Sequence, residues 1–279
     1  MQKNTGDIDY KEFLKVLKEH SPYDFCDYSD NSISRRIQKV MRDYRLSFDE
    51  IIEKTKIDAH FVEQIIDELT VNTTELFRDP ALWRFLYEKI YPSLKKKATL
   101  NIWHAGCSSG QEVYSNIILL DQMNMLDRTT IFASDISTKI LDLAKKGVYK
   151  YDFNKVYLDN FKEVFQDKDV DLNKYIDINE YDDKFIVKDF LKDKVKYVKY
   201  DLVNEEIPFY KKFDIIFCRN VLIYFNVSLQ LKIINRFYQN LFPGGLLCLG
   251  SHETISGFYK TKFLKKEFIY QKSNTFYLK

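Results

Sequence analysis

The sequence predicts an α/β protein: a Rossmann-like, mostly parallel sheet with a small antiparallel β insertion, preceded by a small all-α domain. Three observations predict it. Residues 8–70 show helical periodicity and no strand alternation. From residue 99 short apolar runs alternate with helical stretches, the pattern of βα units around a covered parallel sheet. Glycine is scarce, 8 in 279 residues, and none lies between Gly6 and Gly106. Where it returns, at Gly106, Gly110, Gly244, Gly245 and Gly250, the backbone is expected to need positive φ or close approach. The organisation reads as a helical domain over 1–71, a linker and connecting helix over 72–98, and the α/β domain over 99–279, with its insertion at about 166–195.

The elements follow in order. Residues 8–18 form a helix with Ile8, Phe13, Leu14, Val16 and Leu17 as its apolar positions. Residues 32–46 form the clearest amphipathic helix, with Ile33, Ile37, Val40, Met41 and Tyr44 on one face and Arg35, Arg36, Lys39, Arg42 and Arg45 on the other. Residues 48–55 and 59–69 are two more helices, the second capped by Asp58. Asp79-Pro80 then gives an N-cap and a first helical residue. That helix is expected to stop near Tyr91, because a proline such as Pro92 disfavours helical backbone in the residue before it. Strands are expected at 100–105, 130–134, 196–200, 213–219 and 246–249, and helices at 111–123, 138–146 and 228–241. Residues 150–195 read as a helical stretch followed by the insertion. Residues 267–278 read as a hairpin around Lys272-Ser273-Asn274.

Composition excludes several classes of function. Lys+Arg at 43 and Asp+Glu at 41 give a net charge of +2, which supports no bulk attraction to nucleic acid or an anionic membrane. Cys26, Cys107, Cys218 and Cys248 lie far apart with no CxxC pair, so neither a zinc ribbon nor a thioredoxin motif is present and no metal site is expected. Scattered thiols suit a reducing cytosol, and a cytoplasmic monomer is expected. The start, MQKNTGDIDYKEF, lacks the apolar core of a secretory signal. The longest apolar stretch, 241–249, is about half a membrane span and is interrupted by Pro243-Gly244-Gly245.

Four motifs carry chemistry. In Asn101-Ile-Trp-His-Ala-Gly-Cys-Ser-Ser-Gly-Gln-Glu112 a strand enters a glycine turn and a helix opens directly after, the geometry of a nucleoside-binding loop. No Lys-Ser/Thr follows the second glycine, so it is not a P-loop. Glu112 there suits a ligand carrying positive charge, although the same acid would also suit a plain βα turn through the helix dipole. In Ile131-Phe-Ala-Ser-Asp135 an acid ends the next strand, where ribose hydroxyls are held in nucleoside-binding folds. In Asp214-Ile-Ile-Phe-Cys-Arg-Asn-Val-Leu-Ile-Tyr-Phe225 a buried strand delivers Arg219, Asn220 and Tyr224 to the ligand crevice. A salt-bridged arginine and a core tyrosine would read the same way. Asn72-Thr-Thr-Glu-Leu-Phe-Arg78 occupies the interdomain link, with a helix cap by Thr73 or Thr74 as its plain alternative.

Together NTTELFR, IWHAGCSSGQEVYS, ASDIS, FDIIFCRNVLIYF and LFPGGLLCLGSHE resemble the chemoreceptor glutamate O-methyltransferases of the CheR family, in the right order over about residues 10–279. The resemblance implies an S-adenosyl-L-methionine (AdoMet)-dependent methyltransferase that methylates glutamate side chains of bacterial chemoreceptors, releasing S-adenosyl-L-homocysteine (AdoHcy). It implies that Asn72, Thr74, Arg78, Glu112, Asp135, Arg219 and Asn220 contact AdoMet, and that Asp201 and Leu202 stand where the family usually has Asn-Leu. Tyr224 and Arg78 are the groups expected to position the reacting carboxylate. Methyl transfer to another protein or a small acid, or AdoMet binding without turnover, are the competing readings.

The chain departs from the family at Ser109, Gln111 and Val113, in a stretch the family usually writes CSTGEEPYS, while keeping Glu112. Asp201 can accept from an adenine amino group but cannot donate to a ring nitrogen. His104 and His252 replace small polar residues and are expected to be structural. The basic face of Arg35, Arg36, Lys39, Arg42 and Arg45, interrupted only by Asp43, is expected to dock the Glu-rich helical region of the receptor. Some family members use a glycine-containing loop in the insertion to capture a receptor tail peptide. Residues 150–194 contain no glycine, so a tight turn and tail capture are not expected here.

Overall fold

The computed structural model describes residues 10–70, 73–154, 157–166, 168–203, 207–209 and 211–273. Helices α1 (Tyr10–His20), α2 (Asp30–Tyr44), α3 (Phe48–Ile57) and α4 (Ala59–Leu69) pack round their own core, including Phe13, Leu17, Ile33, Ile37, Ile51 and Ile65. Asp58 caps α4 as expected, accepting from Phe61 N at 2.9 Å. Ser47 and Glu50 form a reciprocal capping box on α3. Helix α2 ends at Tyr44, because Arg45 turns left-handed at φ 54°. Ile8 lies outside the described residues.

The connecting helix does not stop before Pro92. It runs as α5 (Pro80–Phe85), a π-helical turn (Leu86–Ile90) and α6 (Tyr91–Leu94). Proline lacks the N–H of a regular helical bond, and its ring collides with the carbonyl one turn back. The wider turn, in which Tyr91 N bonds Leu86 O, absorbs that misfit.

The main sheet is seven-stranded in the order β6-β2-β1-β7-β8-β10-β9. Its strands are β1 (Leu100–Ala105), β2 (Thr129–Asp135), β6 (Val195–Lys199), β7 (Phe213–Cys218), β8 (Leu241–Leu249), β9 (Phe263–Lys266) and β10 (Ile269–Lys272). The first five run parallel, and β10 and β9 join antiparallel. Strand β1 is the middle one of the five parallel strands, in the register Ile102↔Ile131 and Ile102↔Ile215. Alternate residues feed two cores. Ile102, Ile131, Ile215 and Phe217 face the side of α5 and α7 (Gln111–Gln122), while Trp103, Phe132 and Ile216 face α12 (Val227–Asn240). Helix α8 (Thr138–Lys146) ends at Gly147 in the left-handed conformation.

Two details differ from the sequence expectation. Strand β8 begins at Leu241, not 246, because its register slips between Phe213↔Leu241 and Ile215↔Leu246 and the Pro243-Gly244-Gly245 stretch is accommodated in a bulge. The C-terminal hairpin turns at Glu267-Phe268, with Glu267 at φ 47°, and pairs β10 with the preceding β9. The strand expected at 275–278 lies outside the described residues.

The small sheet has the order β3-β5-β4, from Val148–Lys150, Lys184–Val187 and Ile176–Asn179. Its first strand precedes the expected 166–195 range, since helices α9 (Tyr151–Asn154) and α10 (Tyr157–Phe165) are spliced between β3 and β4. A tight turn does join β4 to β5 without glycine, because Asp183 adopts φ 51°, a conformation aspartate tolerates better than most residues. Among the described residues, no helix is long and apolar enough to cross a membrane.

Gly110 opens α7 at φ 92°, and a Cβ there would lie 2.9 Å from Ala144 Cβ and 3.2 Å from its Cα. Gly110→Ala should therefore cost on the order of 1–3 kcal/mol of stability. The check is a lower urea midpoint at unchanged slope; a wild-type midpoint would contradict the strain.

Candidate functional site

The strand order reverses between β1 and β7, and the cavity lies outside their carboxyl ends, as in open α/β sheets generally. It encloses about 920 Å³ counted out to its mouth. Three strand ends supply Glu112, Asp135 and the Arg219–Asn220 turn, a fourth supplies Asp201 and Leu202, and the link supplies Thr74 and Arg78. Tyr224 completes the wall. Every expected cofactor residue but one thus lines a single cavity; Asn72 lies outside the described residues.

The helical domain roofs this cavity. Ser29 N donates to Tyr224 O at 2.8 Å, Asn226 N donates to Asp27 O at 2.8 Å, and Ser137 Oγ donates to Asp67 Oδ1 at 2.5 Å. Lys199 Nζ bonds Tyr23 OH at 2.9 Å. Tyr28, wedged against Phe225 at 4.8 Å between ring centres, puts a helical-domain side chain on the cavity wall. No motif in the sequence singled it out.

The glycine turn is built by its backbone. Gly106 at φ 76° lets the N–H groups of Gly106 and Cys107 both reach Ser134 O at 2.9 Å. A Cβ on Gly106 would sit 2.6 Å from Val221 Cγ2, so the turn and the loop after β7 pack too closely for any side chain there. Ser108 N donates to Asp135 Oδ2 at 2.8 Å and Ser137 N to Asp135 Oδ1 at 3.2 Å. Burial pushes the Asp135 carboxyl above its ordinary range, and these N–H donors offset only part of the shift. Ser108 Oγ is buried beside it with no partner among the described residues. An oriented carboxylate with an unspent hydroxyl next to it is a matched pair for vicinal diols.

Arg219 ties the other end together. Its side chain is 1% exposed. Nη1 donates to Glu112 Oε2 at 3.1 Å, and Nη2 donates to Asp79 Oδ2 at 2.5 Å and to Arg78 O at 3.0 Å. Asp79 takes the expected N-cap position of α5, its carbonyl accepting from Leu82 N at 2.9 Å, but at φ 58° its side chain makes no cap bond and turns to Arg219. Burial alone would push the Glu112 carboxyl up, but the hydrogen bond from His104 and the charge and hydrogen bond of Arg219 hold it below its ordinary value. Two carboxylates share one guanidinium, which leaves the cluster with surplus negative charge and suits it to a cationic group. Among the described residues Arg78 forms no ion pair, so its guanidinium is open to an anionic one.

Asn220 sits at φ 59° because a buried carboxylate grips its turn. Glu253 accepts from Asn220 N at 2.9 Å, Gly250 N at 2.6 Å and Ile223 N at 3.3 Å. Burial pushes its carboxyl up against those donors. Sequence reading passed over Glu253; the signal was an acid three residues beyond Gly250, itself one of the scarce glycines. Burial raises the Tyr224 phenol, while the positive charges of Arg36, Arg78 and Arg35 pull it down.

The basic face of α2 is not free of acids. Lys39 pairs with Glu68 of α4 and with Asp43 at 3.2 Å, and Arg42 Nε lies 3.3 Å from Asp43. The sequence could not show α4 delivering Glu68 to that face. Arg35 and Arg36, at the other end of the helix, lie near enough to Tyr224 for their charge to act on its phenol.

A glycine turn opening the first helix, an acid after the second strand and this strand order together define a nucleoside-binding fold of Rossmann-like build. The model of the CheR methyltransferase SAM-binding domain matches residues 72–269, and that of the CheR all-alpha domain matches residues 8–70. The Pseudomonas putida protein Cher3 is 32% identical over 280 residues, spanning 98% of this chain and 99% of its own. A chemotaxis protein methyltransferase of Borreliella burgdorferi is 36% identical over 220 residues, covering 74% of this chain and 72% of its own. The Pseudomonas putida chemotaxis protein methyltransferase Cher2 is 29% identical over 266 residues, 91% and 93% of the two chains. The chain belongs to the CheR methyltransferase family, and is an AdoMet-dependent methyltransferase of chemotaxis.

Replacing Glu253 by Gln would turn an amide nitrogen toward one of the three backbone donors. Glu253→Gln should cost about 1–3 kcal/mol, the usual penalty for an unsatisfied buried donor. Denaturant unfolding measures it, and unchanged stability would show that the clasp is not needed.

Proposed function

We propose that the protein transfers the AdoMet methyl group to glutamate side-chain carboxylates on the cytoplasmic helices of chemoreceptors, acting as a cytoplasmic monomer. One observation carries the reading: Glu112, Asp135, Arg78 and Tyr224 share one cavity, and the charges of Arg36 and Arg35 reach Tyr224 on its wall. The site fits the cofactor. The net-negative Glu112–Arg219–Asp79 cluster suits an α-ammonium, Arg78 the amino-acid carboxylate, and Asp135 with Ser108 the ribose hydroxyls. Asp201 accepts from Val203 N at 2.7 Å and lies where the adenine amino group would be met. Thr74, Leu202, Asn220 and, by family resemblance, Asn72 complete the cofactor contacts.

When bound, AdoMet supplies an electrophilic methyl on a sulfonium. The substrate carboxylate is already ionised at neutral pH, with a reference pKa near ~4.3, so the protein need supply no strong base. Its residues supply alignment and partial exclusion of water. Tyr224 and Arg78 position the carboxylate near the methyl; a fully paired carboxylate would be a poorer nucleophile, so their hold must be partial.

The test is tritiated methyl transfer to receptor fragments, with the product scored as base-labile label, the mark of an ester. Arg35→Glu with Arg36→Glu should slow transfer several-fold and weaken its salt dependence, as expected for charge-steered docking. Arg45→Glu, at the far end of the helix, should change it much less. AdoHcy affinity should be the same in all three proteins. Equal rates and salt slopes would show that the face is merely solvated.

A further inference from the structure

Behind Glu112 stands a file of buried groups that contact nothing in the cavity. Tyr91 OH donates to Asn116 Oδ1, Asn116 Nδ2 lies 3.0 Å from His104 Nε2, and His104 Nδ1 lies 2.9 Å from Glu112 Oε1. Tyr91, Asn116 and His104 are completely buried. The imidazole is clamped flat on Phe217, 4.5 Å between ring centres at 4°. Hydrogen-bond accounting then fixes the proton. With the amide oxygen of Asn116 taken by Tyr91, its nitrogen faces the ring and can only donate, so Nε2 offers a lone pair. The proton of the neutral ring sits on Nδ1 and donates to Glu112. Around a neutral ring, the reversed amide would place two acceptors, Nδ1 and Oε1, against each other at 2.9 Å.

We propose that His104, as the neutral Nδ1–H tautomer set by Asn116, is the positioning residue that presents the Glu112 carboxylate to the cofactor's α-ammonium. This rests on the reading of Glu112 given above. His104 holds Oε1 while Arg219 holds Oε2, so the carboxylate plane is fixed and each oxygen keeps capacity for one more donor. Without the imidazole, Oε1 loses its protein partner and the carboxylate is free to turn both oxygens onto Arg219. The cation site would then collapse into an internal ion pair.

Calorimetry with two ligands tests this: AdoHcy, and 5′-methylthioadenosine, which keeps the adenosine but lacks the amino-acid part. His104→Leu should weaken AdoHcy by roughly tenfold, the size of one hydrogen bond to a charged group, and leave methylthioadenosine unchanged. His104→Asn, whose amide nitrogen falls near the Nδ1 position, should recover much of the loss. Equal weakening of both ligands, or none, would overturn the proposal. Glu112→Gln separates it from its premise: if that variant binds AdoHcy like the wild type, the assignment of Glu112 itself fails. A measurement on the unsubstituted protein stands apart from folding of the variants. Nitrogen-15 NMR should show His104 neutral and protonated on Nδ1, and protonation on Nε2 would contradict the mechanism.

Discussion

The site depends on one buried cation. Arg219 gathers three segments that are remote in sequence: β7, which bears it; the opening of α7, through Glu112; and the interdomain link, through Asp79 and the carbonyl of Arg78. Trp83 covers its flat face at 5.7 Å. A guanidinium this deep is costly to desolvate, and such ion groups are weak contributors to net stability. Their effect is on geometry: with the guanidinium removed, Glu112 and Asp79 would both be left without their shared cation. The arrangement therefore specifies where the link must cross the sheet, which in turn places Arg78 at the cavity.

Backbone constraint does the rest of the placement. The turn after β1 stays thin because Gly106 has no side chain, so the loop after β7 can close over it. Glu253 then clasps that loop from β8, fixing Asn220 and the run to Tyr224. The carbonyl of Tyr224 is in turn an anchor for the helical domain. The glycine turn, the loop to Tyr224 and the helical roof of the cavity are thus one mechanically continuous unit.

Much of this was legible in the sequence where local chemistry decides the outcome. The buried strands announce themselves as apolar runs, and β1 falls at the expected bounds. Asp58 caps its helix because nothing competes for its side chain. Asp79 has the same local signature and takes the N-cap position, but its side chain makes no cap bond because a distant arginine claims the carboxylate. The helix through Pro92 was hidden for a related reason: a π turn is a cooperative adjustment of several residues that no single residue signals. Glu68 neutralises part of the basic face only once α4 is packed against α2. Tyr28 and Glu253 were missed at the cavity because their contacts join segments far apart in the chain.

The most direct measurement is a crystal structure of the complex with AdoHcy. The account predicts ribose hydroxyls on the Asp135 carboxylate and the α-ammonium on Glu112, with Glu112 still held by His104 and Arg219 and the ligand carboxylate at Arg78. A ligand seated with its ribose away from Asp135, or an α-ammonium that ignores Glu112, would contradict it.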